Sequence, residues 1–102
     1  MKVISLQHAE KVNPVLDAHI MGKSDKAKIV HIRLRPGEKI EPHLNEHDAF
    51  FYVLEGKSMV TSGQETLLLS RNQCIFIEGG TERSFDNISV ADFKMIAIKL
   101  PE

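Results

Sequence analysis

The chain has 102 residues, of which 42% are hydrophobic and 26% charged, and its formal net charge is -1. This composition is close to that of ordinary soluble proteins, which argues against fibrous, disordered and membrane classes and predicts one domain. The 13 Lys and Arg residues are spread among 14 acids. A nucleic-acid partner needs a concentrated basic surface, so we expect no such partner.

The first residues lack the apolar core of a signal peptide, and no run approaches the roughly 20 apolar residues that span a bilayer. We therefore expect a cytoplasmic protein with no membrane partner. Cys74 is the single cysteine, which excludes an internal disulfide and a cysteine-based zinc site. Its setting in Cys-Ile-Phe-Ile predicts a small buried core residue.

In chain order, the first segments predict little helix and then a β-hairpin. A helix over residues 9–18 is interrupted by Asn13-Pro14, which leaves a turn or two at most. Residues 15–21 and 28–34 are predicted strands, and residues 22–25 form a plausible hairpin loop between them.

The strand at residues 28–34 has a clear alternation. Val30, Ile32 and Leu34 share one face, which predicts burial, whereas His31 shares the opposite face and is expected to meet solvent or a dimer contact. Regularly spaced short strands separated by turns predict an all-β sandwich or barrel. Further strands are predicted at residues 49–54, 66–69, 74–77 and 93–100.

The strand at residues 49–54 is apolar on both faces. Phe51 and Val53 point one way, and Phe50 and Tyr52 point the other way, because strand side chains alternate. One face needs a second sheet and the other needs another layer of protein. We expect a twofold homodimer to supply that layer, and cover by loops and the N-terminal arm is the alternative.

Two spaced motifs carry a resemblance to a known family. Gly37, His43 and Gly56 keep the spacing of G-x5-H-x-H-x3-E-x6-G, while Gly80 and Asn87 fit G-x5-P-x-G-x2-H-x3-N. On these motifs the chain resembles a small single-domain cupin.

The resemblance implies an all-β fold, namely a cupin-like jelly-roll β-barrel of short antiparallel strands. It extends over nearly the whole sequence. We expect a single cupin domain over residues 1–102, with an N-terminal strand or arm region at 1–27 and the conserved barrel core at 28–100.

In the cupin family, three histidines and a glutamate hold a divalent metal inside the barrel. This sequence keeps His43, but Asn45, Ala49 and Arg83 replace the second histidine, the glutamate and the motif-two histidine. An Asn carbonyl is a weak metal ligand, Ala has no donor, and Arg stays protonated. We therefore expect the usual metal site to be largely lost and no cofactor to be needed.

Arg83 instead suggests a site for an anion, because a buried guanidinium needs an anionic partner and its planar fork suits carboxylate or phosphate. The alternative is a surface ion pair of Arg83 with Glu78, Glu82 or Asp86. The favoured hypothesis is a small, anionic ligand inside the barrel, bound by His43, Asn45, Ala49, Phe51, Val53 and Arg83.

Two other functions remain open. One is a metal-dependent enzyme of the isomerase, epimerase or oxygenase type, with a divalent transition metal held by His43, His47 and Asn45. The other is a packed barrel that acts through its surface. No catalytic residue can be assigned, because no general acid or base has a clear partner.

Overall fold

The structure is a computed structural model that describes residues 1–101. This part of the chain forms ten strands and one short 3-10 helix, Leu6–His8. None of its helices is long and apolar enough to cross a membrane. The strands are β1 (Glu10–Lys11), β2 (Ala18–Lys23), β3 (Lys28–Leu34), β4 (Lys39–Leu44), β5 (Asp48–Glu55), β6 (Lys57–Ser62), β7 (Glu65–Ser70), β8 (Cys74–Ile77), β9 (Glu82–Asp86) and β10 (Phe93–Leu100).

The strands form two antiparallel sheets. One has six strands in the order β1-β2-β3-β10-β5-β8, and the other has four in the order β4-β9-β6-β7. Sequence neighbours such as β3 and β4 lie in different sheets, so the chain crosses between the two layers repeatedly. The expected all-β jelly roll is confirmed.

The core lies between the two sheets, because every second side chain of each strand points inward. On β10 the inward residues Phe93, Met95 and Ala97 are completely buried. Burial of a large apolar side chain contributes about 1.5–3 kcal/mol, so this interior provides most of the stability. Other inward residues are Val30, Ile32, Leu34, Ala49, Phe51, Val53, Val60, Leu69, Ile77 and Phe85.

The sequence pattern missed four strands: the two-residue β1, and β4, β6 and β9 of the four-stranded sheet. Strand β4 contains Pro42 and is exposed at most positions. Strands β6 and β9 mix hydroxyl and charged residues with few apolar ones, and only two positions of each are buried. An alternation of apolar and polar residues is therefore hard to see in them.

The first hairpin is shifted from its predicted place. Strand β2 continues to Lys23, so the loop comprises residues 24–27 rather than 22–25. Ser24 closes it: its N–H donates to the carbonyl of Ala27 (2.9 Å), and its hydroxyl accepts from the N–H of Lys26 (3.1 Å). A Ser side chain that bonds nearby backbone favours a turn.

The position of Cys74 on strand β8 contradicts the prediction that its side chain is buried. Ile77 on this strand is buried, and Ile75 packs against the core. Cys74 and Phe76 have the opposite parity and are exposed. The prediction of a buried thiol was wrong because four consecutive apolar residues do not reveal which parity faces the core.

Candidate functional site

The site begins with Arg83, which lies on the inward face of β9. Its neighbour of the same parity, Phe85, is a core residue, and Arg83 itself is only 2% exposed. The Arg83 Nη2 donates to the carbonyl of Glu78 (2.9 Å), and Nε makes a longer bond to the carbonyl of Thr81 (3.4 Å). The guanidinium carbon lies 6.0 Å from the centre of the Phe51 ring, within the range of a cation–π contact.

No carboxylate of residues 1–101 forms an ion pair with Arg83. The alternative in which Glu78, Glu82 or Asp86 pairs with Arg83 at the surface is therefore wrong. Glu78 offers Arg83 its backbone carbonyl rather than its side chain. Burial lowers the pKa of Arg83, and the charge of Asp48 opposes this effect.

A small cavity adjoins the guanidinium inside the barrel. Its volume is about 70 Å³, and its lining combines apolar side chains with a few polar and charged ones. Its lining residues are Leu16, Ile32, Ile40, His43, Asn45, Phe51, Arg83, Phe85 and Lys99.

The structure brings four of the six predicted ligand-binding residues to this cavity: His43, Asn45, Phe51 and Arg83. His43 and Arg83 also face each other in the register of β4 and β9. Ala49 and Val53 are buried in the core but do not line the cavity.

Lys99 was missed from the sequence. It follows Phe93, Met95 and Ala97 at alternate positions on β10, so it is the one charged member of an inward-facing series. That parity was a usable signal. Burial, together with the charges of Lys28 and Arg83, lowers the pKa of Lys99.

Two loops are held together beside Arg83, one at residues 45–47 and one at 78–81. The N–H of Gly80 donates to the carbonyl of Asn45 (2.7 Å), and the N–H of Gly79 donates to Oδ1 of Asp48 (2.8 Å). A Cβ at position 79 would overlap the carbonyl of Glu46, so this close approach requires glycine. These contacts fix the carbonyl of residue 78 that receives Arg83.

The donor set does not fit the metal of the cupin family. His43 is exposed, and its Nδ1 lies 3.1 Å from the carbonyl of Glu41. His47 is also exposed, and its backbone N–H donates to Oδ1 of Asn45 (2.9 Å). Within residues 1–101, no three His, Cys, Asp or Glu side chains are grouped so as to hold a metal ion.

A larger depression of about 570 Å³ lies outside the barrel, between the N-terminal segment and β2. The buried polar side chains of the described chain are Ser58, Arg83 and Asn87, and none of them lines it. The interior cavity is therefore the stronger candidate despite its smaller size, since it alone joins a buried charge to free space.

Two antiparallel sheets around an interior cavity, with positive-φ glycines at the turns, define a jelly-roll barrel. The profile of the Cupin domain family matches residues 30–99. The chain belongs to the cupin domain family.

Curated relatives are larger proteins. Mannose-1-phosphate guanylyltransferase RfbM of Salmonella typhimurium is 29% identical over 94 residues, which are 91% of this chain and 20% of that protein. TcmJ, a tetracenomycin polyketide synthase protein of Streptomyces glaucescens, is 31% identical over 58 residues, or 56% of this chain and 39% of TcmJ. The chain thus spans about a fifth of RfbM and about two fifths of TcmJ.

Solved structures share the fold over nearly the whole chain. KdgF from Halomonas sp. superimposes with a TM-score of 0.84 at 22% identity, covering 98% of this chain and 92% of KdgF. A protein from Thermus thermophilus gives a TM-score of 0.83 at 24% identity, covering 99% of this chain and 98% of that one. At these identities the likeness establishes the fold alone.

Proposed function

We propose that this cupin binds a small anionic molecule in the barrel interior, with Arg83 as the principal anchor. One observation carries the proposal: Arg83 is 2% exposed, lines a cavity and has no carboxylate partner among residues 1–101. A buried charge without a counter-charge is costly, so a bound anion would remove a destabilising feature of the free protein.

The cavity lining suits such a guest. Two of the guanidinium nitrogens bond backbone carbonyls, which leaves further N–H donors for a carboxylate or phosphate. Lys99 adds a second cation, and His43 and Asn45 add further polar groups. Apolar contacts would come from residues such as Ile32 and Phe51.

The size of the cavity limits the guest. About 70 Å³ is room for only a few water molecules, far less than the roughly 300–1,000 Å³ of a typical drug-sized pocket. The guest is therefore a small anion, or a larger molecule that inserts only its anionic end. RfbM is named for mannose-1-phosphate, which carries a phosphate group, and this agrees with an anionic guest.

The binding hypothesis is tested by calorimetry and thermal denaturation with a panel of small carboxylates and phosphates. We expect at least one to bind and to raise the melting temperature of the wild type, and R83M to lose both effects. R71M is the matched control, because Arg71 is exposed and outside the cavity lining. Equal binding by wild type and R83M would overturn the proposal.

The metal-dependent enzyme remains testable although the placement of His43, His47 and Asn45 does not favour it. The experiment is elemental analysis of protein purified without chelator. We expect less than stoichiometric transition metal. Stoichiometric metal in the wild type that disappears in H43A would favour the enzyme over the anion receptor.

We further propose that a second copy of the chain covers the outer face of β5 and β8. This face exposes Phe50 and Tyr52 (39% each) and Phe76 (45%), and the rings of Phe50 and Phe76 lie 4.9 Å apart. Leu54 and Ile29 extend the same sheet face. A contiguous apolar patch on one sheet is typical of a protein interface, and a twofold homodimer is the simplest closed assembly.

Light scattering coupled to size exclusion tests the dimer. We expect a dimeric wild type and a monomeric F50E variant. L68E is the control, since Leu68 is as exposed (47%) but lies in the other sheet. A wild-type protein that is monomeric at high micromolar concentration would contradict the proposal.

A further inference from the structure

Two lysines face each other at the Arg83 end of the barrel, which we define by Lys28, Arg83 and Lys99. Lys28 and Lys99 are directly opposite in the register of β3 and β10. Lys28 also has the parity of the buried Val30, so both side chains belong to the inner face of the sheet. Like charges directly opposite on one sheet face are destabilising, and such a pair calls for a physical reason.

Neither lysine is neutralised by the described part of the chain. No ion pair formed within residues 1–101 includes Lys28 or Lys99. Lys94 provides the contrast, because it lies on the same strand but on the outer face, and its Nζ lies 3.7 Å from Oε2 of Glu55. On β10, therefore, the outer lysine has an acid beside it and the inner one has a second lysine.

Cations outnumber carboxylates around the cavity. Arg83 and Lys99 line it, whereas no Asp or Glu of residues 1–101 does. Lys28 lies opposite Lys99, and burial, followed by the charges of Lys28 and Arg83, lowers the pKa of Lys99. The charge of Asp48 acts on Arg83, but its Oδ1 already accepts the N–H of Gly79. Two lining cations with a third beside them match a guest with two negative charges better than a guest with one.

We propose that the anion recognised by this barrel is a compact dianion, either a phosphate monoester or a short dicarboxylate. Arg83 and Lys99 contact it in the cavity, and Lys28 acts from the edge. The cavity is small, so the two negative charges must lie close together. The Arg fork provides directional hydrogen bonds, and the lysines act as point charges. This inference rests on the proposed function.

The test is calorimetry at mildly alkaline pH and constant ionic strength with four probes: inorganic phosphate and malonate as dianions, acetate and formate as monoanions. We expect the wild type to bind a dianion about tenfold more tightly than either monoanion, the effect of one further partly screened charge contact. Comparing the affinities for phosphate and malonate shows whether the site prefers a phosphate group or a dicarboxylate.

Variants separate this inference from the anchor role of Arg83. K99M and K28M are expected to lose about tenfold in dianion affinity while keeping monoanion affinity within about twofold. K94M is the matched control and should bind all four probes like the wild type. If the wild type binds acetate as tightly as phosphate and malonate, the preference for a dianion is contradicted, but the proposal that the barrel binds an anion is not. If no probe binds, both proposals are contradicted.

A second readout does not depend on binding. K99M removes one member of a like-charge pair, so it is expected to raise the melting temperature of the free protein. K94M, which breaks a pair of opposite charges, should not raise it. A K99M protein that is less stable than the wild type would show that Lys99 has a structural role, and would overturn the inference.

Discussion

The two ends of β9 hold buried polar side chains in opposite states. At the Asn87 end, defined by Leu34, Asn87 and Phe93, the amide of Asn87 is completely buried and every part of it has a partner. Its Nδ2 donates to the carbonyls of Leu34 and Ala91 (2.9 Å each). Its Oδ1 accepts the N–H (3.0 Å) and the hydroxyl (2.7 Å) of Ser89.

At the Arg83 end, a nearly buried guanidinium has two carbonyl acceptors, no carboxylate and a cavity beside it. Arg83 and Asn87 are separated by four residues of extended chain, or about 13 Å. A satisfied buried polar group stabilises and specifies a fold, whereas an uncompensated one costs stability. The comparison indicates that the Asn87 end holds the barrel together, and the Arg83 end is where we propose that a ligand binds.

The largest expected effect is at Gly56, which closes the Asn87 end. Gly56 has φ +78°, and an added Cβ would overlap the carbonyl of Asp92 and lie 3.1 Å from Cα of Phe93. G56A should lose about 4 kcal/mol of unfolding free energy in urea denaturation. Gly37 is the matched control: it has φ +84° with nothing within 4 Å, so G37A should lose only about 1 kcal/mol. Equal losses would show that the contact is irrelevant.

The next effect is at Asn87 itself. N87A removes four hydrogen bonds and leaves the carbonyl of Leu34 buried without that donor, so a loss of about 3 kcal/mol is expected. Asn13 is the control, since it also accepts two hydrogen bonds but is exposed. N13A should lose about 1 kcal/mol or less. If N87A lost as little unfolding free energy as N13A, the proposed structural role of the Asn87 end would be contradicted.

Arg83 should behave in the opposite way. R83M removes a buried charge that has no carboxylate partner, so the unfolding free energy of the free protein should stay within about 1 kcal/mol of the wild type or rise. The same variant should lose ligand-induced stabilisation. Urea denaturation without and with saturating ligand measures both. A loss as large as that of N87A, with binding intact, would make Arg83 a structural residue.

The smallest effect lies on the outer face of the six-stranded sheet, away from both ends. Burial and then Lys94 lower the pKa of His31 from 6.5, and Asp17 opposes them, with His19 and Arg33 also nearby. The unfolded chain therefore binds a proton first as pH falls below 6.5, so stability decreases with acidification. H31Q should remove that part of the slope in denaturation between about pH 7 and 5. An unchanged slope would contradict the assignment, and H8Q is a control at an exposed histidine.

Much of the fold was readable from sequence. The predicted bounds of β3, β8 and β10 agree with the structure, because strong apolar runs end at glycine-containing turns or charged residues. The spacing of three glycines with His43 and Asn87 was enough to recognise the cupin resemblance, which the family match confirms. The four-stranded sheet was the difficult half, since strands such as β4 and β9 bury few apolar side chains.

The candidate site was only partly readable. The motif alone pointed to Arg83, His43 and Asn45, and these three do line the interior cavity. Amino-acid composition and the periodicity of apolar residues, however, do not show which charged residues lack an ion-pair partner. Parity could have placed Lys99 inward, but not beside an arginine from the other sheet.

By itself, the sequence determined the fold class and showed an arginine at the motif position where the cupin resemblance predicts a histidine, because both are local patterns of spacing and residue type. Only the tertiary structure decided which charges meet. Lys28 and Lys99 are far apart in the sequence and become neighbours through the β3–β10 register. Arg83 and Lys99 line one small cavity between the two sheets, and electrostatic interaction depends on distance and burial rather than on sequence separation.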